Sequence, residues 1–345
     1  MTKITDWIRE HRRGLLITLF LILFADILFI VIFSGEKGDK NSEKEYRASA
    51  EMTELTSMTE VSQPAEGGIK AELKDISEKN SGFDTDYLPY CKGAAIYSVN
   101  KGELLYSNNI YEETAPASLT KLLTASVALK YADADDVFTA GSELAYVNEN
   151  SSLAGLAVGD SLTLRDLITG MFLASGNDAA HTVAVNVARM QFPDADLNDV
   201  EAVNCFCGLM EQFAESIGME NSNFVSPDGW DTYDQYTTVS DLIKLADYVM
   251  SVPELRDIVA MPQKTVYSTD GKVFKWQNSN QLLDPNGNHY CEEAIGVKTG
   301  TTQNAGSCLI SAFEGDEDTY ICVVVGCNND DDRYDYTLNM IYQVL

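Results

Sequence analysis

The chain has 345 residues, 45% of them apolar, with 24 Lys and Arg against 53 Asp and Glu for a net charge of −29. That length allows one large core or two small ones. So acidic a protein is repelled by nucleic acid and by anionic lipid headgroups, which excludes both as general partners and leaves the fold open.

Residues 1–14 carry Lys3, Arg9, Arg12 and Arg13, and the apolar run from Leu15 to Phe33 is broken only by Thr18 and Asp26. As a helix such a run is about 28 Å long, close to the hydrocarbon thickness of a bilayer. It exceeds the apolar core of a cleaved signal, and Ile32, Phe33 and Ser34 make a poor cleavage site. Residues 15–34 are therefore expected to be an uncleaved, single-pass signal anchor in the cell membrane. The basic 1–14 tail would lie in the cytoplasm and the rest of the chain outside. Cleavage would make that remainder a secreted protein. Residues 35–82 are rich in Glu, Lys, Ser and Thr and read as a flexible linker.

The globular part is expected over 83–345. Gly93 to Val99, the turn Asn100-Lys101-Gly102 and Glu103 to Tyr106 read as a β-hairpin. Helical spacing follows over Ser118–Tyr131, Leu164–Leu173, Asp178–Met190, Val203–Ile217 and Ser240–Met250. Ala294 to Lys298, Gly306 to Phe313 and Thr319 to Cys327 read as strands, and Tyr334–Val344 as a closing helix. Strands at both ends with helices between predict an α+β fold, one sheet formed by both chain ends with a helical insertion.

Seven cysteines leave at least one unpaired. They read as buried thiols, with Cys308 and Cys322 the pair that could face each other across a hairpin. None of His11, His181 and His289 lies beside a cysteine pair at zinc-ligand spacing, and His181 is expected on a helix surface among Ala and Val.

Three short motifs could carry chemistry. Ser-x-x-Lys occurs at Ser34/Lys37, Ser98/Lys101 and Ser118/Lys121, and only Ser118 opens a strong helical run. One turn apart on a helix, Lys121 can reach the Ser118 hydroxyl, and if buried its neutral amine could take the hydroxyl proton. Alone, Ser118 suits a helix N-cap equally well, with Lys121 a solvated charge. Ser175-Gly176-Asn177 falls between two helices and also reads as a turn. Lys298-Thr299-Gly300 ends a strand of small and apolar residues, where a cation suits an edge strand lining a cleft and aimed at a carboxylate. The three stand in the order of the penicillin-binding serine enzymes.

With Pro116-Ala117-Ser118-Leu119-Thr120-Lys121, Leu173 to Ala180, Pro227-Asp228-Gly229, Asn278 to Leu283 and Gly296 to Thr302 around these triplets, the chain resembles the D-alanyl-D-alanine carboxypeptidase family of low-molecular-mass penicillin-binding proteins. The resemblance runs from about Gly93 to the C-terminus. It implies a β-lactamase/transpeptidase-like fold with about five antiparallel strands. It implies Ser118 as nucleophile on the penultimate D-Ala carbonyl, Lys121 as base and Ser175 as proton relay. Asn177 would hold the peptide, Lys298 and Thr299 the terminal carboxylate, and Gly300 and Thr301 would complete the binding strand. The backbone N–H groups of Ser118 and Thr301 would form the oxyanion hole. The implied partners are a peptidoglycan stem peptide ending in D-Ala-D-Ala and β-lactam antibiotics, without metal or cofactor. Rival readings on the same fold are a class A-type β-lactamase, with Glu220-Asn221 the one tempting site for a water-activating carboxylate, and a DD-endopeptidase or transpeptidase. A non-catalytic wall-binding module is the rival of another class.

Overall fold

The computed structural model describes Leu73, Lys74, Asn80, 82–86 and 88–345, within the second of two compact units, Leu55–Leu345. The expected basic tail, signal anchor and most of the expected linker lie outside the described residues. Among the described residues no helix is long and apolar enough to cross a membrane.

The order is β1 (Gly93–Ser98), β2 (Glu103–Asn108), α1 (Thr120–Tyr131), β3 (Val137–Thr139), β4 (Ser161–Thr163), α2 (Leu164–Leu173), α3 (Asn177–Gln191), α4 (Asp199–Ser216), α5 (Val239–Ser251), α6 (Pro253–Val259), β5 (Gln263–Tyr267), β6 (Val273–Gln277), β7 (Ala294–Thr302), β8 (Gly306–Glu314), β9 (Thr319–Cys327) and α7 (Asp330–Ile341). Five strands form one antiparallel sheet in the order β2-β1-β9-β8-β7. Both chain ends thus share one sheet, as expected, and the fold is α+β. The expected hairpins and helices are present within a few residues. Two small sheets, β3–β4 and β5–β6, and the short α6 carried no periodicity long enough to read.

The sheet is buried on both faces, which explains why β1, β8 and β9 read as near-continuous apolar runs. Ile96, Leu309, Phe313 and Val324 pack with Tyr334, Met340 and Ile341 of α7 on one side. The alternate residues of the same strands, such as Ala95 and Val323, are fully buried too, and α5 packs on β9 and β1. Helix α1 is buried along its length from Thr120 to Ala128, in contact with α2, α3, α4 and α5. It is the central pillar of the helical body. Short polar caps start four of the other helices: Thr163 on α2, an Asn198/Glu201 capping box on α4, Thr238 on α5 and Asn329 on α7.

The cysteine expectation needs correction. Cys91 is bonded to Cys327 as a disulfide, while Cys308 and Cys322 are free and buried. The register opposes Cys322 to Ser311, three positions along β8 from Cys308, so the two thiols are not cross-strand partners. Near the other edge, Asn80 Nδ2 donates to the Ser107 carbonyl at 2.6 Å, and its Oδ1 accepts the Ser107 N–H at 3.3 Å. That side chain covers part of edge strand β2.

Candidate active site

Ser118 is half-buried in a 3-10 turn, Ala117–Leu119, that runs into α1. Neither the turn nor the helix start carries a side-chain cap, so the capping alternative for Ser118 does not hold. Lys121 instead donates from Nζ to Ser118 Oγ at 2.8 Å and to the Asp228 carbonyl oxygen at 2.8 Å. Its side chain is fully buried, and burial drives its pKa down to about 8 against the Asp228 and Asp178 carboxylates, which hold it up. At that value a useful fraction of the amine is neutral near pH 7 and can accept a proton from the serine.

Two backbone features seat the turn. Ala117 has a left-handed φ of +48°, a conformation costly for a residue with a Cβ. Gly229, at φ +83°, backs onto it so closely that an added Cβ would lie 1.8 Å from the Ala117 carbonyl oxygen. Only glycine fits there.

Ser175 occupies the turn between α2 and α3, also with a left-handed φ, +55°. The turn is pinned by Gly176 N–H to Gly170 O at 3.2 Å and Asn177 N–H to Ser152 O at 2.8 Å. Asp178 accepts the N–H groups of Ala154, Gly155 and Leu156 at 2.7, 2.8 and 2.9 Å, tying the 152–156 segment over it. Asn177 is the first residue of α3 and is buried. From edge strand β7, Lys298 donates to Ser175 Oγ at 3.0 Å and to its neighbour Thr299 O at 3.1 Å. Burial, then the charges of Lys121 and Arg333, push the Lys298 pKa well down. Lys121 and Lys298 thus feel each other, and the two serine–lysine pairs form one site.

Strand β7 meets Ser118 directly. A Cβ on Gly300 would come within 3.1 Å of the Ser118 backbone nitrogen. Thr299 Oγ1 shares a hydrogen bond with Ser279 Oγ at 2.7 Å. Thr301 is exposed, and its Oγ1 accepts from Arg333 Nη1 at 2.9 Å. Such an array offers a polarised serine hydroxyl, a poised amine, a second serine on a cation and a strand edge with basic groups behind it. It can perform acyl transfer through serine.

The D-alanyl-D-alanine carboxypeptidase family model (peptidase family S11) matches residues 90–329. The chain belongs to this family. The D-alanyl-D-alanine carboxypeptidase DacC of Escherichia coli is 32% identical over 245 residues, covering 68% of this chain and 56% of DacC. The D-alanyl-D-alanine carboxypeptidase of Streptomyces sp. strain K15 is 32% identical over 227 residues, covering 63% of this chain and 74% of that protein. The crystal structure of the Streptomyces K15 DD-transpeptidase superposes with a TM-score of 0.68 at 28% identity, over 75% of this chain and 98% of that one. The chain therefore spans little more than half of DacC but nearly all of the K15 structure.

Within the carboxypeptidase fold, Ser118, Lys121, Ser175, Lys298 and Gly300 come into one cluster, with Asn177 at the head of α3 and Thr299 and Thr301 on the same strand. Three further residues escaped the sequence reading. Arg333 is buried, although it follows the acidic run Asp330-Asp331-Asp332, and donates to Gly300 O at 3.3 Å besides Thr301. A lone arginine after such a run was the available signal. Asp228 stands in the triplet Pro227-Asp228-Gly229, whose turn-forming residues give the carboxylate no visible role. His181 corrects the surface expectation: it is buried, with Nε2 3.3 Å from Asp228 Oδ2. Among the described residues no group of three or more His, Cys, Asp or Glu side chains is placed to hold a metal ion.

Proposed function

We propose that the protein is a serine-type D-Ala-D-Ala carboxypeptidase that removes the terminal D-Ala from peptidoglycan stem peptides. The carrying observation is the pair of buried lysines, each hydrogen-bonded to its own serine, at 2.8 and 3.0 Å. In this reading Ser118 Oγ attacks the penultimate D-Ala carbonyl carbon while Lys121 Nζ takes the hydroxyl proton. The oxyanion forms between the backbone N–H groups of Ser118 and Thr301, electrostatic help that is commonly the largest contribution in acyl transfer. Ser175, on Lys298, passes a proton to the leaving D-Ala nitrogen as the C–N bond breaks. Lys298 and Thr299 face the terminal carboxylate, and Asn177 holds the peptide amide. Water then cleaves the Ser118 ester, with Lys121 again accepting a proton.

A β-lactam would acylate the same serine. Glu220, the carboxylate a lactamase-type reading would need, is solvent-exposed, which favours a long-lived adduct. We place residues 15–34 as a signal anchor with the enzyme outside the cytoplasm. The Cys91–Cys327 disulfide supports this, since such bonds persist in oxidising compartments. The deciding experiment incubates the purified full-length protein with a peptide ending in D-Ala-D-Ala and measures free D-Ala. Release that vanishes in Ser118→Ala is expected, and equal release by both proteins would sink the assignment.

A further inference from the structure

Asp228 meets the site twice. Its carbonyl oxygen accepts Lys121 Nζ at 2.8 Å, and its buried carboxylate is held by Ser226 Oγ, by the Trp230 N–H at 2.9 Å and by His181 Nε2 at 3.3 Å. His181 stands one turn after Asn177 on α3, so one helix carries both. With Nε2 turned to Asp228, its Nδ1 is buried without a hydrogen-bond partner. A buried orphan nitrogen is costly, and the buried residues of α3 on either side, Ala179-Ala180 and Thr182 to Val185, are all small or apolar. Packing alone gives no reason for an imidazole here.

We propose that His181 and Asp228 form a positioning pair that clamps the Pro227–Gly229 loop to α3 and thereby holds Lys121 Nζ on the Ser118 hydroxyl. The geometry is a closed chain: α3 through His181 to the Asp228 carboxylate, the Asp228 carbonyl to Lys121, and Lys121 to Ser118. The same loop carries Gly229, which backs onto Ala117, so a shift at Asp228 displaces both supports of the nucleophile. Two titratable groups act directly on Asp228, Lys121 from α1 and Cys207 from α4, and behind them Asp178 of α3 and Lys298 of β7 act on Lys121 and Glu211 of α4 on Cys207. Glu143 reaches the next α3 residue, Thr182, at 3.1 Å. The proposal rests on the acyl-serine reading above, because it assigns the pair to Lys121's work as base.

The test measures the rate constant for acylation of full-length protein by a fluorescent penicillin across pH 5.5–9, with thermal midpoints alongside. His181→Leu should slow acylation on the order of tenfold or more, as expected for a misplaced reacting group, with pre-covalent binding little changed. His181→Gln, which keeps a donor at similar reach, should recover most of the rate. Asp228→Asn removes a charge that holds the Lys121 pKa up, so the acidic limb should move to lower pH. Wild-type rates in His181→Leu at every pH, equal losses in the Leu and Gln variants, or an unmoved limb in Asp228→Asn would each overturn the proposal. Absence of labelling in the wild type would instead overturn the acyl-serine reading, and the proposal with it.

Discussion

Lys298 on β7 and Ser175, 123 residues earlier in the chain, are joined by a 3.0 Å hydrogen bond that crosses from the sheet edge to the helical body. The bond spans the two halves of the fold at the point where a peptide lying along β7 would meet Ser118. The ammonium is buried, and its proton affinity is depressed by that burial and by Lys121 and Arg333. A substrate carboxylate arriving beside it would relieve this unfavourable setting.

Discrimination by the C-terminal charge follows. Peptides ending in a free D-Ala carboxylate should be cleaved with a kcat/KM about 10–100-fold above that of their C-terminal amides, the worth of one desolvated charge pair. In Lys298→Gln the ratio should collapse toward unity. Steady-state kinetics on the four combinations checks it.

The acidic side of the rate profile should belong to Lys121. Its pKa of about 8 lies below that of free lysine because it is buried, and only the neutral amine can take the Ser118 proton. Acylation should therefore rise with pH toward about 8 and fall roughly tenfold per pH unit well below it. Lys121→Met should remove the limb together with most of the rate. Stopped-flow measurement of penicillin acylation reads both.

Backbone approach at Gly229 should be decisive. Gly229→Ala places a methyl 1.8 Å from the Ala117 oxygen, and should cost about 3 kcal/mol or more and most of the acylation rate. Gly271, at φ +88° in the β5–β6 turn with open space around it, isolates the effect of φ. Gly271→Ala should cost about 1 kcal/mol and leave acylation untouched. Denaturant unfolding with penicillin labelling compares the two.

Reduction of the Cys91–Cys327 bond, or Cys91→Ser with Cys327→Ser, should lower stability by about 2–5 kcal/mol. Neither cysteine is among the residues that form the site, so acylation at 25 °C should persist. Differential scanning fluorimetry with and without reductant, followed by an activity assay, would reveal a contrary result.

Much of this site could be read from the chain, for identifiable reasons. Ser118 and Lys121 sit one helical turn apart, a local relation that spacing encodes. Lys298 was out of place in an apolar strand, which pointed to an edge facing a cleft. His181 was lost because periodicity assumes that a helix has one wet face, whereas α3 is buried from Asn177 through Val185 without interruption. Asp228 acts partly through its main-chain carbonyl, which no side-chain pattern reveals. The disulfide depended on register between β1 and β9, and pairing across such a distance is invisible to local sequence.

The placement of β1 against β9 also orders the protein's assembly. Cys91 and Cys327, at the margins of that pairing, are 236 residues apart, so the centre of the sheet closes only after nearly all of the globular part has been synthesised. Until then the β1–β2 hairpin has an open edge and no core to cover it. Ser118 has no strand behind it either, because β7 arrives in the same late portion. A nascent chain thus lacks a complete site and exposes apolar strand edges until its last quarter emerges, which makes it a natural client of chaperones during synthesis.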